Sequence, residues 1–215
     1  GLNENHRTRS KLPTRAEVKE ALIHKLSSMQ AEGVAPDVIT FAGNGEPTMH
    51  PEFAGIIDDT IETRSRFFPK AKIAVLSNST MLYKEDVFQA LNKIEDNILK
   101  LDSISDSRIG QLNVPNSPAF TFDRLLEQLC RFNGNLIIQT MFLKGEVNGE
   151  SVTNTTEHEI SGWLEALKQI KPKQVMIYTI DRETPVKNLK KVTKDELEAI
   201  ADRARQEGFE VMVSA

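Results

Sequence analysis

The sequence has 215 residues, a formal net charge of −4 and 39% hydrophobic residues, enough for one sizeable core. That charge stands against a strongly basic nucleic-acid binder while leaving a local basic patch open, and no apolar run approaches the ~20 residues of a membrane span. The one cysteine, Cys130, excludes an internal disulfide framework, fits a reducing, cytoplasmic setting, and cannot by itself hold a zinc ion or a metal cluster.

Helical and extended patterns alternate along the chain. Thr14 with Glu17 three residues on is a capping-box pattern that opens a helix through about Ala31, closed by Gly33. Asp37–Ala42 reads as a short strand. A helix starts at His50-Pro51-Glu52, with proline at its first position, and runs to about Phe68. Ile73–Leu76 is strand, Lys84–Leu91 helix, and Asn97–Asp102 strand. Thr121–Phe132 is helix, stopped at Gly134, and Asn135–Leu143 reads as one long strand. Thr156 and Glu159 repeat the capping-box pattern before a helix to about Ile170. Gln174–Ile180 is strand, Thr193 and Glu196 cap a helix to about Gln206, and Glu210–Val213 is the last strand.

Six strands separated by helices predict right-handed crossovers and a parallel sheet in one domain over residues 1–215. Two long loops follow strands, Ser103 to Phe120 and Lys144 to Thr155; loops of that length are functional or mobile. The pattern opens on a helix instead of a strand. The chain is therefore expected to lack its first strand and to be part of a longer protein. Gly1-Leu2-Asn3-Glu4-Asn5-His6-Arg7 has no apolar core, so it is not a signal peptide.

In parallel α/β folds, sites sit at the carboxyl ends of the strands. Those ends are polar here: Gly43-Asn44-Gly45-Glu46-Pro47, Ser77-Asn78-Ser79-Thr80, Asp102-Ser103, Gln139-Thr140, and Thr179 to Asp181-Arg182. Gly43 and Gly45 allow positive φ and close backbone approach. Pro47 fixes its own φ and biases Glu46 towards an extended conformation. A carboxylate on such a turn suits a ligand ammonium; a plain βα turn is the equally common structural reading.

Gly43-Asn44-Gly45-Glu46-Pro47 resembles the GGEP motif of the radical SAM superfamily, with Asn in place of the second Gly. Ser77-Asn78, Leu99–Ser103, and Ile138–Gly145 with Asn148 match that superfamily in order. Ile177–Arg182 is similar to a segment of the branch that includes the tRNA wybutosine-synthesis enzymes. The resemblance implies an α/β fold, a partial (β/α)6 barrel of TIM type. It also implies a 4Fe–4S cluster on CxxxCxxC, S-adenosylmethionine as cofactor, an electron donor such as flavodoxin or ferredoxin, and a 5′-deoxyadenosyl radical that acts on an RNA, a peptide or a small molecule. By matching position, Glu46 would hold the methionine ammonium, with the backbone around Asn44 and Gly45 approaching the same group. Ser77 and Asn78 would line the methionine and ribose side. Asp102, Ser103 and Gln139 would meet carboxylate and ribose hydroxyls, and the backbone of Tyr178, Thr179 and Ile180 would meet the adenine. The three cluster cysteines are not in this sequence, so the chain alone is expected to be inactive.

Several residues have plainer readings. His50 is a neighbour of a helix N-cap. Trp163 shares a helical face with Leu164 and Leu167 and belongs to the core. Cys130 is a buried structural cysteine. Arg182, on the active face, binds a substrate carboxylate or phosphate, or pairs with Glu183. Lys187–Lys191 is a solvated surface, and Arg7, Arg9, Lys11 and Arg15 form a basic stretch open to a phosphate. Two other functions compete. A lyase of aldolase type would need a strand-end lysine, for which Lys100 is the candidate with its direction undetermined. A non-catalytic degenerate barrel, serving as a binding or regulatory module, would fit the missing cysteines.

Overall fold

The first helix begins where its capping residues place it. The computed structural model describes residues 12–42, 45–113, 120–181 and 188–214. In it, α1 (Arg15–Ala31) opens on Thr14, whose hydroxyl accepts from the Glu17 backbone N–H while the Glu17 carboxylate accepts from the Thr14 backbone N–H at 2.6 Å. There follow β1 (Val38–Phe41), a 3-10 turn (Pro47–Met49), α2 (Phe53–Phe67), β2 (Lys72–Ser77), α3 (Glu85–Asn92) and β3 (Asp96–Lys100). Next come α4 (Asp106–Asn113), α5 (Phe122–Cys130), β4 (Ile137–Met141), β5 (Leu143–Val147), β6 (Glu150–Ser151) and α6 (Glu157–Ile170). The chain ends with β7 (Gln174–Tyr178), β8 (Leu189–Lys191), α7 (Lys194–Gln206) and β9 (Val211–Ser214). Six strands form a parallel sheet in the order β1-β2-β3-β4-β7-β9. This is the parallel α/β architecture that the alternation of patterns predicts.

Four expectations need correction. Pro51 is not the first residue of a helix: it lies in the turn between the 3-10 segment and α2, which starts at Phe53. The segment after β3 is not a bare loop, because it contains α4. The long strand expected over Asn135–Leu143 is two strands broken at Phe142. The stretch beyond Phe142 is not a loop either: β5 pairs antiparallel with β6 and with β8 in a separate three-stranded sheet, order β6-β5-β8. Asn148 and Gly149, both at positive φ, make the tip of the β5–β6 hairpin, a turn that matches the twist of two-residue hairpins.

The described residues fall into two compact units. The first takes those of Thr8–Ser77 and Met81–Ile98. Its core is Ile57, Ile73, Val75, Val87 and Leu91, each at most 1% exposed. β1 runs parallel to β2 in the register Val38↔Lys72, and α2 packs against α1 and α3. Asp59 on α2 faces α1, where Arg15 Nε donates to Oδ2 at 2.6 Å, Arg15 Nη2 to Oδ1 at 2.9 Å and Lys19 Nζ to Oδ1 at 3.2 Å. The Arg15 hydrogen bond, with Lys19 behind it, holds the Asp59 carboxyl down at about 2. A folded pKa below the unfolded one stabilises the fold at pH above the ordinary carboxylate value, and that contribution is lost as pH falls towards about 2. Asp59→Asn is therefore expected to lower stability at neutral pH and to converge on the wild type in acid. Urea denaturation from about pH 6 to about pH 2 checks this; a difference constant with pH would refute the assignment.

The second unit takes the described residues of Asn78–Thr80 and Leu99–Ala215. β4 runs parallel to β7 and β7 to β9. Trp163 on α6 is 2% exposed and meets Phe142 edge-on, ring centroids 5.4 Å apart. Its indole N–H donates to Thr140 Oγ1 at 2.9 Å, and Thr140 in turn donates to Leu101 O at 2.8 Å. Trp163 is a core residue, as its helical face predicts.

Candidate functional site

The acidic turn belongs to the first unit. Glu46 is extended (φ −92°, ψ 112°), as expected before Pro47, and caps the 3-10 turn with its own side chain. Glu46 Oε1 accepts from the Thr48 backbone N–H at 3.1 Å and from the Thr48 hydroxyl at 2.5 Å. Thr48 is buried and Glu46 half-buried, so a fixed hydroxyl orients a carboxylate that still reaches the surface. Gly45 does not use the positive φ that glycine allows; apart from its chain neighbours, no described residue lies within 4 Å of where its Cβ would be. Ser77 closes β2 and is 3% exposed. His50 is tied into the chain: its Nδ1 accepts from the Glu52 N–H at 3.0 Å and Nε2 lies 2.8 Å from Pro13 O, which fixes the Nε2–H tautomer. Gly43, Asn44 and Arg182, like Arg7, Arg9 and Lys11, lie outside the described residues.

The other strand ends belong to the second unit. Asn78 Oδ1 accepts from the Thr80 N–H at 3.0 Å and hydroxyl at 2.7 Å, while Ser79, left-handed at φ 67°, donates its hydroxyl to Lys100 O at 2.9 Å. Asp102 has a side chain only 2% exposed. Its Oδ1 accepts from the Met141 N–H at 2.9 Å, and its Oδ2 lies 3.4 Å from Asn113 Nδ2 and 3.8 Å from Lys100 Nζ. Ser103 donates its hydroxyl to Glu159 Oε2 at 2.7 Å and accepts from the Ser105 N–H.

β4 buries Ile138 and Thr140 on one side and leaves Gln139 and Met141 half-buried on the other. The register sets Gln139 beside Met176 and Met141 beside Tyr178, so these four side chains leave the sheet on one face. Lys100 joins that face: its Nζ is 5.7 Å from the Tyr178 ring centroid. Burial pushes the Tyr178 hydroxyl pKa up, with Lys100 pulling the other way. This settles the direction of Lys100. Its Nζ lies 3.8 Å from an anion, Asp102, the opposite of the cationic or apolar setting that activates a Schiff-base lysine. Of the segment expected to present backbone groups, the Tyr178 carbonyl accepts from the Phe142 N–H at 2.8 Å. Thr179 Oγ1 accepts from the Val192 N–H, and Ile180 packs with Leu112, Leu143 and Val152.

Two polar residues here carry no sequence signal, and a third carries a misleading one. Asn113, on α4, is 4% exposed and its Oδ1 has no hydrogen-bond partner among the described residues. Asn154, 1% exposed, touches three backbone segments at once. Glu159 does carry a signal, but of the wrong kind. Thr156 accepts from its N–H, yet the Glu159 carboxylate does not close a capping box; it turns instead to Ser103, Ile104 and Arg108.

Among the described residues no three His, Cys, Asp or Glu side chains are grouped to hold a metal. Cys130 is half-buried, less so than expected, and burial raises its thiol pKa. The chain's own residues therefore do not fit a thiolate-bound cluster. The oriented, half-buried Glu46 carboxylate is the kind of group with which a small cation pairs.

No family model matches the chain. It is 28% identical over 183 residues, 83% of its length, to the UPF0026 protein of Helicobacter pylori (strain ATCC 700392 / 26695), of which it covers 55%; the chain spans about half the length of the curated UPF0026 relatives it matches. Among solved structures it superposes on Streptococcus suis SuiB bound to S-adenosylmethionine, with a TM-score of 0.66 at 15% identity, over 98% of this chain and 45% of that one. It also superposes on TYW1 with a lysine-pyruvate adduct bound, with a TM-score of 0.58 at 14% identity, over 89% of this chain and 60% of that one. At these identities the likeness is one of fold: the chain has the partial-barrel α/β fold of radical SAM enzymes.

Proposed function

We propose that this chain is the S-adenosylmethionine-binding core of a radical SAM enzyme, working with a 4Fe–4S cluster whose thiolates come from outside its one-cysteine sequence. The observation that carries the reading is Glu46: a half-buried carboxylate in the turn that follows β1, oriented by the buried Thr48. In this reading Glu46 takes the methionine ammonium in a charge-assisted hydrogen bond. Ser77, Asn78 and Gln139 line the cofactor, with the backbone of Tyr178, Thr179 and Ile180 along the adenine. Gly43, Asn44, Gly45 and Pro47 serve the same methionine end, and Arg182 meets an anionic group of the substrate. The fold shared with SuiB, a protein solved with S-adenosylmethionine bound, supports the reading. When bound, the cluster and S-adenosylmethionine supply the radical; the residues of this chain bind, orient and exclude water. The substrate is an RNA, a peptide or a small molecule, and the electron donor a flavodoxin or ferredoxin.

The test is anaerobic reconstitution of the gene product with iron and sulfide, followed by equilibrium dialysis with S-adenosylmethionine and assay for 5′-deoxyadenosine. Uptake with 5′-deoxyadenosine formation is expected. A folded, cluster-loaded protein that takes up no S-adenosylmethionine would refute the reading. The single cysteine favours one rival, a degenerate barrel that binds but does not react; uptake without cluster formation or 5′-deoxyadenosine would identify it.

A further inference from the structure

We infer that Asn154 and Glu159, at the entry to α6, are positioning residues that clasp the segment after β3, so that Asp102 and Ser103 shape the strand-end site without touching a ligand. The inference rests on the S-adenosylmethionine reading above and revises the part that Asp102 and Ser103 play in it.

The bonds on both sides of the clasp are made by buried groups. Asn154 Nδ2 donates to Asp102 O at 2.7 Å and to Met141 O at 2.8 Å, while its Oδ1 accepts from the Leu143 N–H at 2.8 Å. One carboxamide thus ties the end of β3 to the end of β4 and to the start of β5. Asp102 repeats the tie from its own side by accepting from the Met141 N–H. Five residues on, the Glu159 carboxylate, 2% exposed, accepts from the Ser103 hydroxyl at 2.7 Å, the Ile104 N–H at 3.2 Å and Arg108 Nη1 at 2.7 Å. Between these contacts Ile104 lies flush on α6 at Gly162, where a Cβ would stand 2.2 Å from Ile104 Cδ1.

Burying a carboxylate this deeply is expensive unless every oxygen finds donors, and an apolar side chain would hold two segments together at less cost. What the carboxylate adds is direction. Three donors from Ser103, Ile104 and Arg108 converge on it and leave that backbone one position. Both side chains are also enclosed and turned towards partners within the protein. The Asp102 side chain is 2% exposed with both oxygens engaged, and Ser103 uses its hydroxyl as donor and acceptor at once. Both are nearly closed off from the surface, whereas Gln139 on the adjoining strand has no side-chain hydrogen bond among the described residues and is half-buried.

The experiment uses the reconstituted gene product. Asn154→Asp keeps the shape and the acceptor for Leu143 but removes both donors; Glu159→Gln keeps the size, replaces one of the two acceptor oxygens by an NH2 donor and removes the charge opposite Arg108. Two quantities are read well below the unfolding temperature: affinity for S-adenosylmethionine, and amide exchange of Ser103–Ile109 against that of α7. For Asn154→Asp we expect about a tenfold weaker affinity together with faster exchange confined to Ser103–Ile109, and for Glu159→Gln a smaller change in the same direction. Ser103→Ala, which deletes only a hydroxyl, is expected to lower affinity no more than Glu159→Gln does. Faster exchange with wild-type affinity in both variants would make the residues structural only and overturn the inference, as would unchanged exchange. If Asn154→Asp does not fold, Glu159→Gln decides by the same two readouts. Absence of S-adenosylmethionine binding in the wild type is a different failure, that of the proposed function.

Discussion

Glu46→Gln is expected to weaken S-adenosylmethionine binding by about 10- to 100-fold in the reconstituted gene product, measured by calorimetry. That magnitude comes from the ~1.5–3 kcal/mol typical of a hydrogen bond to a charged group. The substitution keeps size and leaves an oxygen to accept from the Thr48 N–H and hydroxyl, so the 3-10 turn is expected to survive. What is lost is the negative charge and one acceptor oxygen, the features that the proposed ammonium contact needs. Thr48→Val tests the orientation separately: it deletes the hydroxyl that fixes Glu46 Oε1 and leaves the backbone donor in place. Its expected effect is smaller, about threefold, on the weaker footing of a single neutral hydrogen bond. Undiminished binding by Glu46→Gln would mean that the carboxylate serves its own turn and no ligand.

Gly145→Ala is expected to give the largest loss of stability, about 3 kcal/mol or more. Gly145 lies at φ +128°, a backbone region that side chains rarely adopt, and a Cβ there would stand 2.0 Å from the carbonyl oxygen of Asn188. That oxygen is backbone, next to Leu189, the register partner of Gly145 between β5 and β8, so it has little room to yield. The Gly145 N–H and C=O are also committed, to Thr153 Oγ1 at 3.0 Å and from the Val152 N–H at 3.0 Å. The measurement is the urea midpoint by circular dichroism. A midpoint within error of the wild type would show that β5 and β8 do not pair as described.

Local chemistry decided much of the fold in advance. Thr14 with Glu17 and Thr193 with Glu196 close reciprocal capping boxes because each partner lies within one helical turn. The six parallel strands were legible because each is a short apolar run between helical patterns. Glu46 was legible as a presented carboxylate because Pro47 restricts it through a single peptide bond.

The pattern failed where long-range partners outbid local ones. Thr156 and Glu159 have the spacing of the two capping boxes, yet Glu159 is drawn 55 positions back along the chain to Ile104, where it finds stronger donors than the N-cap amide. Leu136–Leu143 contains no glycine, proline, asparagine or aspartate to announce a break. The break at Phe142 comes from Asp102, Asn154 and Tyr178, which claim the backbone groups of residues 141–143 from three other parts of the chain. The second sheet is hidden for the same reason, since β5–β8 pairing joins segments more than 40 residues apart whose strands are too short to announce themselves.

The amino-acid sequence by itself determined the α/β alternation, the parallel sheet, the capped helix starts, the acidic turn at Glu46 and the lack of a cysteine set for a cluster. Only the tertiary structure decided that Lys100 shares a face with Tyr178, that Asp102 and Ser103 are enclosed, and that Asn154 and Glu159 hold them. The division is physical. Caps and turns are fixed by neighbours a few bonds away, whereas a buried polar group takes whichever donor the folded chain brings to it.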